Sequence, residues 1–200
     1  MSSFDKYLLI FARTLVKYWL TLVNVAVLIF ILPIILYPLF MSTGSPFLQD
    51  IASAILFAYH ATCHQLPERS LFIFGYKMAV CSRCFAIYTA FLAGGILFYF
   101  LRKKLKPWDI KLYIILCIPM AIDGFAQLFG VSIPRGFDAN GLVWSTLSNN
   151  GMRVITGAIF GLASALFALP FMQEIFDMEE QDQKERASKQ LVEAHKDQEG

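Results

Sequence analysis

Residues 19–40 run for 22 positions without one charged side chain. At about 1.5 Å of rise per residue, a helix of that length crosses the roughly 30 Å hydrocarbon layer of a bilayer. Pro33 and Pro38 are expected to bend its second half. Three more apolar stretches meet the same requirement, at residues 85–101, 112–130 and 152–172, the third carrying Asp123 and the fourth Arg153 at its start. The composition agrees: 57% of residues are hydrophobic and 16% charged, where a soluble domain has about 25% charged. A net charge of +2 excludes the strongly basic class of nucleic-acid-binding proteins. The first apolar run is too long for a cleaved signal peptide and lacks a small-residue cleavage site.

Loop charges orient these spans. With the N-terminus inside, twelve cations fall on the inner side, among them the Arg102-Lys103-Lys104 cluster. Only Arg69, Lys77, Arg83, Arg135 and Arg153 fall outside. The expected fold is therefore an all-α integral protein of the inner or plasma membrane, with four transmembrane helices and both termini cytoplasmic. Residues 1–18 space Phe4, Tyr7, Leu8, Phe11 and Leu15 against Lys6, Arg13 and Lys17 as an amphipathic helix on the inner surface; the alternative is a continuation of the first span. Residues 19–172 are the membrane domain, with an outer loop at 41–84, and residues 173–200 are a charged cytoplasmic tail. Within that loop, residues 47–59 are apolar but short, as in an interfacial or re-entrant helix. No internal repeat is evident.

The outer loop carries the chemistry. His60-Ala61-Thr62-Cys63 is a His-x-x-Cys, and Cys81-Ser82-Arg83-Cys84 is a Cys-x-x-Cys, joined through a segment able to form a hairpin around Gly75. Paired ligands at this spacing can turn toward one ion, so His60, Cys63, Cys81 and Cys84 are candidate ligands of a tetrahedral site, with zinc the ion that mixed nitrogen and thiolate donors favour. His64 is a spare ligand or a nearby base, and Glu68 is placed to act as a base toward a metal-bound water. Four protein ligands would leave no open position and would make the metal structural. Two alternatives stand beside the metal: a membrane thiol–disulfide oxidoreductase using the Cys-x-x-Cys with Cys63 as the further thiol, and a plain structural disulfide. Cys117 lies inside the third span and reads as a small packing residue.

The strings Cys63-His64-Gln65-Leu66-Pro67-Glu68-Arg69-Ser70 and Cys81-Ser82-Arg83-Cys84-Phe85-Ala86-Ile87-Tyr88 resemble a family of membrane proteins catalogued as domain of unknown function 2085. That family looks like CHQ-x-P-x-RS followed by C-x-RC-x-G-I-Y. Ile122-Asp123-Gly124 and Ser148-Asn149-x-x-x-Arg153-x-x-Thr156-Gly157 are similar to its later part, so the resemblance runs from about residue 59 to 161. Ala86 stands where the family pattern has glycine, which widens the helix approach there and leaves the candidate ligands untouched.

An ionised group in hydrocarbon costs at least about 2.5 kcal/mol, so Asp123 should face the protein and have a partner. Arg153 is the natural one, since the third and fourth spans are neighbours in the chain. Asp123, Gln127, Asn149 and Arg153 then line a polar pocket, or serve packing alone. Arg69, Arg83 and Arg153 bring three guanidiniums to the same side, a set able to bind a phosphate or carboxylate such as a lipid head group. Gly157 and Gly161, with Gly94-Gly95, permit close helix contact within the bundle or between subunits. Residues 132–150 form an outer loop, held to the surface by Phe137 and Trp144, that connects two spans or lids the pocket. Three functions follow: an enzyme or binder of a lipid or small anion, a thiol oxidoreductase, or a non-catalytic subunit of a larger membrane assembly with a metal staple.

Overall fold

The computed structural model describes residues 3–102, 104–129 and 149–199. Helix α1 (Ser3–Ser42) is one continuous rod of 40 residues. The amphipathic segment and the first span are thus not separate elements, because no proline, glycine or capping turn interrupts residues 4–19. After a turn at Gly44, α2 (Pro46–His60) folds back against α1. A short 3₁₀ turn (Pro67–Arg69) leads into strands β1 (Ser70–Ile73) and β2 (Tyr76–Cys81). Three long helices follow, α3 (Ser82–Leu101), α4 (Ile110–Leu128) and α5 (Asn149–Glu199).

The fold is mostly helical rather than all-α, since β1 and β2 pair as an antiparallel hairpin with Ser70 opposite Cys81 and Ile73 opposite Tyr76. Phe74 (φ 54°) and Gly75 (φ 79°) form its two-residue turn. Positive φ at both positions is the signature of the hairpin turn whose twist matches the strands. A second difference concerns α3, which begins at Ser82 and takes Cys84 into its first turn. The tail likewise extends α5 without a break, past Pro170, to Glu199.

Among the described residues, three helical segments are long and apolar enough to cross a membrane, Thr14–Ser42, Ser82–Leu101 and Asn150–Arg186. Their surfaces invert the soluble pattern: Ile29, Leu32, Ile96 and Leu162, among many others, are exposed, as suits side chains solvated by lipid. The buried residues are small or few. Leu20, Phe98, Ala165 and Leu169 form one cluster, and Ile34, Tyr37, Ala52, Tyr59, Cys63 and the β2 residues Met78, Ala79 and Val80 form the other.

Helices α3 and α5 run parallel, starting at the same end. Gly157 lies against the Arg83 carbonyl and Gly161 against that of Ile87, while Gly94 faces Leu162 and Ala165. Helix α4 runs the other way along α5, with Tyr113 stacked on Phe167 at 4.7 Å and its hydroxyl 3.3 Å from Ser164 Oγ. On the far side α1 also opposes α3. Asn24 meets Gly95 near mid-helix, and Phe30 packs edge-on to Tyr88 at 5.0 Å. The Tyr59 hydroxyl donates to the Phe30 carbonyl and ties α2 to α1.

The Gly-x-x-x-Gly thus serves contact within the bundle. A Cβ on Gly161 would lie 2.3 Å from the Ile87 carbonyl oxygen, with two further backbone atoms at 3.0 Å. Backbone cannot swing aside as a side chain can, so Gly161→Ala is expected to cost at least about 2 kcal/mol. Gly124→Ala, whose Cβ would meet only Arg83 Nη1 at an ordinary 3.7 Å, should change little. Thermal unfolding of the two variants in the same detergent measures the difference.

Candidate functional site

The ends of α2, β2, α3, α4 and the start of α5 meet at one end of the bundle. Helix α2 positions the first ligand candidate. Tyr59 is buried against α1, and Cys63 follows four residues later on the same face, its N–H donating to the Tyr59 carbonyl at 3.0 Å. His60 is one position round the helix from Tyr59 and is exposed. The hairpin then returns the chain, bringing Cys81 opposite Ser70 and starting α3 beside Cys63. The result is a cluster in which the Sγ atoms of Cys63, Cys81 and Cys84 all lie within 4.8 Å of one another. The three are unbridged thiols. His60, the expected fourth ligand, is not among them.

Cys63 is the electrostatic centre of the cluster. It is 6% exposed, and its sulfur accepts N–H groups from Cys81 at 3.2 Å and Gln65 at 3.4 Å. The Cys81 thiol, then that of Cys84 and these N–H groups, hold the Cys63 thiol far below its ordinary range, against the opposing effect of burial. N–H donors on a sulfur favour its thiolate form, the form that binds metals. Tetrahedral zinc with Zn–S bonds of about 2.3 Å needs sulfurs about 3.8 Å apart. The three sulfurs, within 4.8 Å of one another, are a donor set of the number and kind that holds a metal ion.

Gln65 is the residue that sequence reasoning missed. It adopts φ 52°, in the left-handed region, which turns its N–H onto Cys63. Its buried side-chain amide donates to the Leu56 carbonyl at 2.7 Å and the Ala79 carbonyl at 2.9 Å, joining α2 to β2. Lys77 Nζ donates to the Gln65 carbonyl oxygen at 2.8 Å. The one available signal was its place between His64 and Leu66 in the CHQ-x-P string. Gln65→Ala removes two side-chain hydrogen bonds that join α2 to β2, at about 0.5–1.5 kcal/mol each. It is expected to weaken metal binding by about 10- to 100-fold, as outer-shell changes do; competition with a chromophoric chelator measures it.

Beside the thiols lies a cavity of about 200 Å³, lined by Cys63, Cys81, Cys84, His64, Arg69, Arg83 and Arg153. Asp123 is buried on α4 and pairs with Arg83 of α3. Arg153 was the partner suggested by chain order; its Nη1 donates to Asn150 Oδ1 at 2.8 Å. Ser82, fully buried, donates to the Arg69 carbonyl at 3.0 Å and lies 3.5 Å from Asn150 Oδ1, so the 3₁₀ turn, α3 and α5 are joined. Arg83 Nε is buried with no hydrogen-bond partner. Glu68 is exposed on the 3₁₀ turn and does not line the cavity. The side chains of Gln127 and Asn149, and the loop at 132–148, lie outside the described residues.

Apolar helices able to cross a membrane, with a thiol cluster at one end, define a helical membrane protein. The chain belongs to the family described as "Predicted membrane protein (DUF2085)", whose model matches residues 63–167. That range begins at Cys63 and includes the other two thiols, Asp123 and Arg153. An uncharacterized protein of Methanocaldococcus jannaschii is 42% identical over 164 residues, covering 80% of this chain and 95% of that one. Another, from Methanothermobacter thermautotrophicus, is 32% identical over 104 residues, covering 52% of this chain and 81% of the relative. No solved structure matches.

Proposed function

We propose that the protein is a four-span membrane protein that holds a zinc ion on Cys63, Cys81 and Cys84 at its extracytoplasmic face, and that the adjoining pocket receives a small anionic ligand or lipid head group. The observation that carries the reading is the mutual approach of three sulfurs within 4.8 Å, with two N–H groups on the most buried of them. Thiolate donors favour zinc among the available divalent ions. Three guanidiniums in one 200 Å³ cavity favour an anion.

The span count and orientation rest on two further arguments. On α4, Ile115, Ile118, Ile122 and Phe125 are exposed at spacings of three and four, an apolar stripe suited to lipid. Crossing by α4 makes four spans and returns both termini to one side. The cation-rich end, with Arg102 and Lys104, is opposite the thiols, so the positive-inside tendency turns the cluster outward. The Cys63 thiolate beside a Cys-x-x-Cys also suits thiol–disulfide exchange, the competing reading.

Metal analysis of protein purified gently and dialysed tests this. One zinc per chain with three protected thiols is the expected result; metal-free protein with a Cys81–Cys84 disulfide overturns it in favour of exchange. For orientation, an impermeant maleimide applied with chelator to intact cells is expected to label the cluster. Labelling only after permeabilisation overturns the outward placement.

A further inference from the structure

A tetrahedral metal held by Cys63, Cys81 and Cys84 would keep one corner for a further ligand, and these three cysteines line the same cavity as Arg69, Arg83 and Arg153. We infer that this corner is completed not by a side chain but by an exogenous oxyanion of phosphate type, bound to the metal through one oxygen and gripped by Arg69. The inference rests on the metal reading above and names the ligand class of the same site.

Charge is the first argument. A divalent ion on three thiolates carries one net negative charge, and Asp123 adds a second. Among the described residues, Arg69, Arg83 and Arg153 exceed these by one, which favours a further anion in the cavity. The guanidiniums also differ in their commitments. Arg83 is engaged by Asp123, and Arg153 donates to Asn150. The Arg69 guanidinium has no hydrogen bond or ion pair among the described residues, and it is half-buried against the cavity. A fork of donors without an acceptor beside an open metal corner is matched by a second oxygen of the same oxyanion.

Backbone dipoles add to this. The two parallel helices α3 and α5 both present their N-termini here, and the α3 terminus has no side-chain cap. Helix N-termini carry partial positive charge and unpaired N–H groups, which favour anions. The volume sets the size. About 200 Å³ is room for several waters. That admits a phosphate or a phosphomonoester head group. Because Arg83 and Arg153 stand in the first turns of helices able to cross the membrane, the cavity lies where a head group and a dissolved anion are both within reach.

The neighbouring protein candidates for the corner are weaker. His60 is exposed outside the cluster. His64 lines the cavity but adjoins Cys63 in the chain, and adjacent residues rarely ligate one ion together.

Cobalt substitution tests the proposal. Purified protein carrying one Co²⁺ per chain, desalted, is titrated with inorganic phosphate while the thiolate charge-transfer and d–d bands are followed. A saturable d–d change is expected. Arg69→Gln should weaken phosphate binding by about ten-fold or more with cobalt affinity unchanged, Arg69→Lys should recover part of it, and His64→Ala should leave it intact. In nanodiscs of phosphatidylcholine with added phosphatidic acid, a d–d band already shifted before phosphate is added identifies a lipid head group as the source. An unshifted band that still responds to free phosphate identifies a dissolved anion, and either result supports the oxyanion. A charge-transfer band with d–d features indifferent to both sources overturns the inference and leaves the metal reading standing. Loss of the free-state d–d pattern in His64→Ala also overturns it, since the corner then belongs to His64. Absence of any thiolate–cobalt band overturns the metal reading beneath it.

Discussion

Cys81→Ser is expected to lower zinc affinity by at least about 100-fold, beyond the 10- to 100-fold typical of outer-shell substitutions. Serine offers no thiolate, and two sulfurs cannot hold the ion against a competing chelator. The change should also uncouple metal from stability. A ligand that binds only the folded state at 1,000 times its Kd adds about 4 kcal/mol. Zinc should therefore raise the Tm of the parent protein strongly and that of Cys81→Ser scarcely at all. Cys63→Ser should be the more damaging change, because the buried sulfur accepts two N–H groups that a shorter hydroxyl cannot reach together. Cys117 lies in α4, away from the cluster, and Cys117→Ser is the control expected to bind zinc normally. Equal zinc retention by Cys81→Ser and Cys117→Ser would remove the cluster from the metal reading.

Features that depend on length and periodicity were legible in the sequence. Long uncharged runs and cysteine pairs are one-dimensional signals, and the Gly75 turn announced a hairpin. What depended on the relative rotation and order of helices was not legible. His60 and Cys63 share x-x spacing with Cys81 and Cys84, yet the helical turn that buries Tyr59 and Cys63 directs His60 outward. Gln65 acts through a left-handed backbone, which a glutamine in a sequence does not signal. For Asp123, chain order favoured the neighbouring helix, α5. The parallel packing of α3 on α5, set by glycines whose partner no periodicity reveals, instead delivers Arg83 to it.

That pair supplies the second large effect. Asp123 is 5% exposed and holds the guanidinium of Arg83. Removing one member of a buried pair strands the other charge and costs about 3–5 kcal/mol, whereas removing both is often near neutral. Arg83 has little means of escape. A Cβ at Gly157 would lie 2.7 Å from its carbonyl oxygen and 3.3 Å from its Cγ, so α5 clamps its backbone and the base of its side chain. Its Nε is already without a partner. Asp123→Asn is therefore expected to lower the Tm in detergent by on the order of 10 °C. Arg83→Gln alone should also lower the Tm, by removing one partner of the buried carboxylate. The double variant Arg83→Gln/Asp123→Asn should regain more than half of either loss, a coupling that the four-member cycle isolates. Strictly additive losses would show that the two side chains stabilise the bundle independently, and the tie between α3 and α4 would then have to be sought in apolar packing alone.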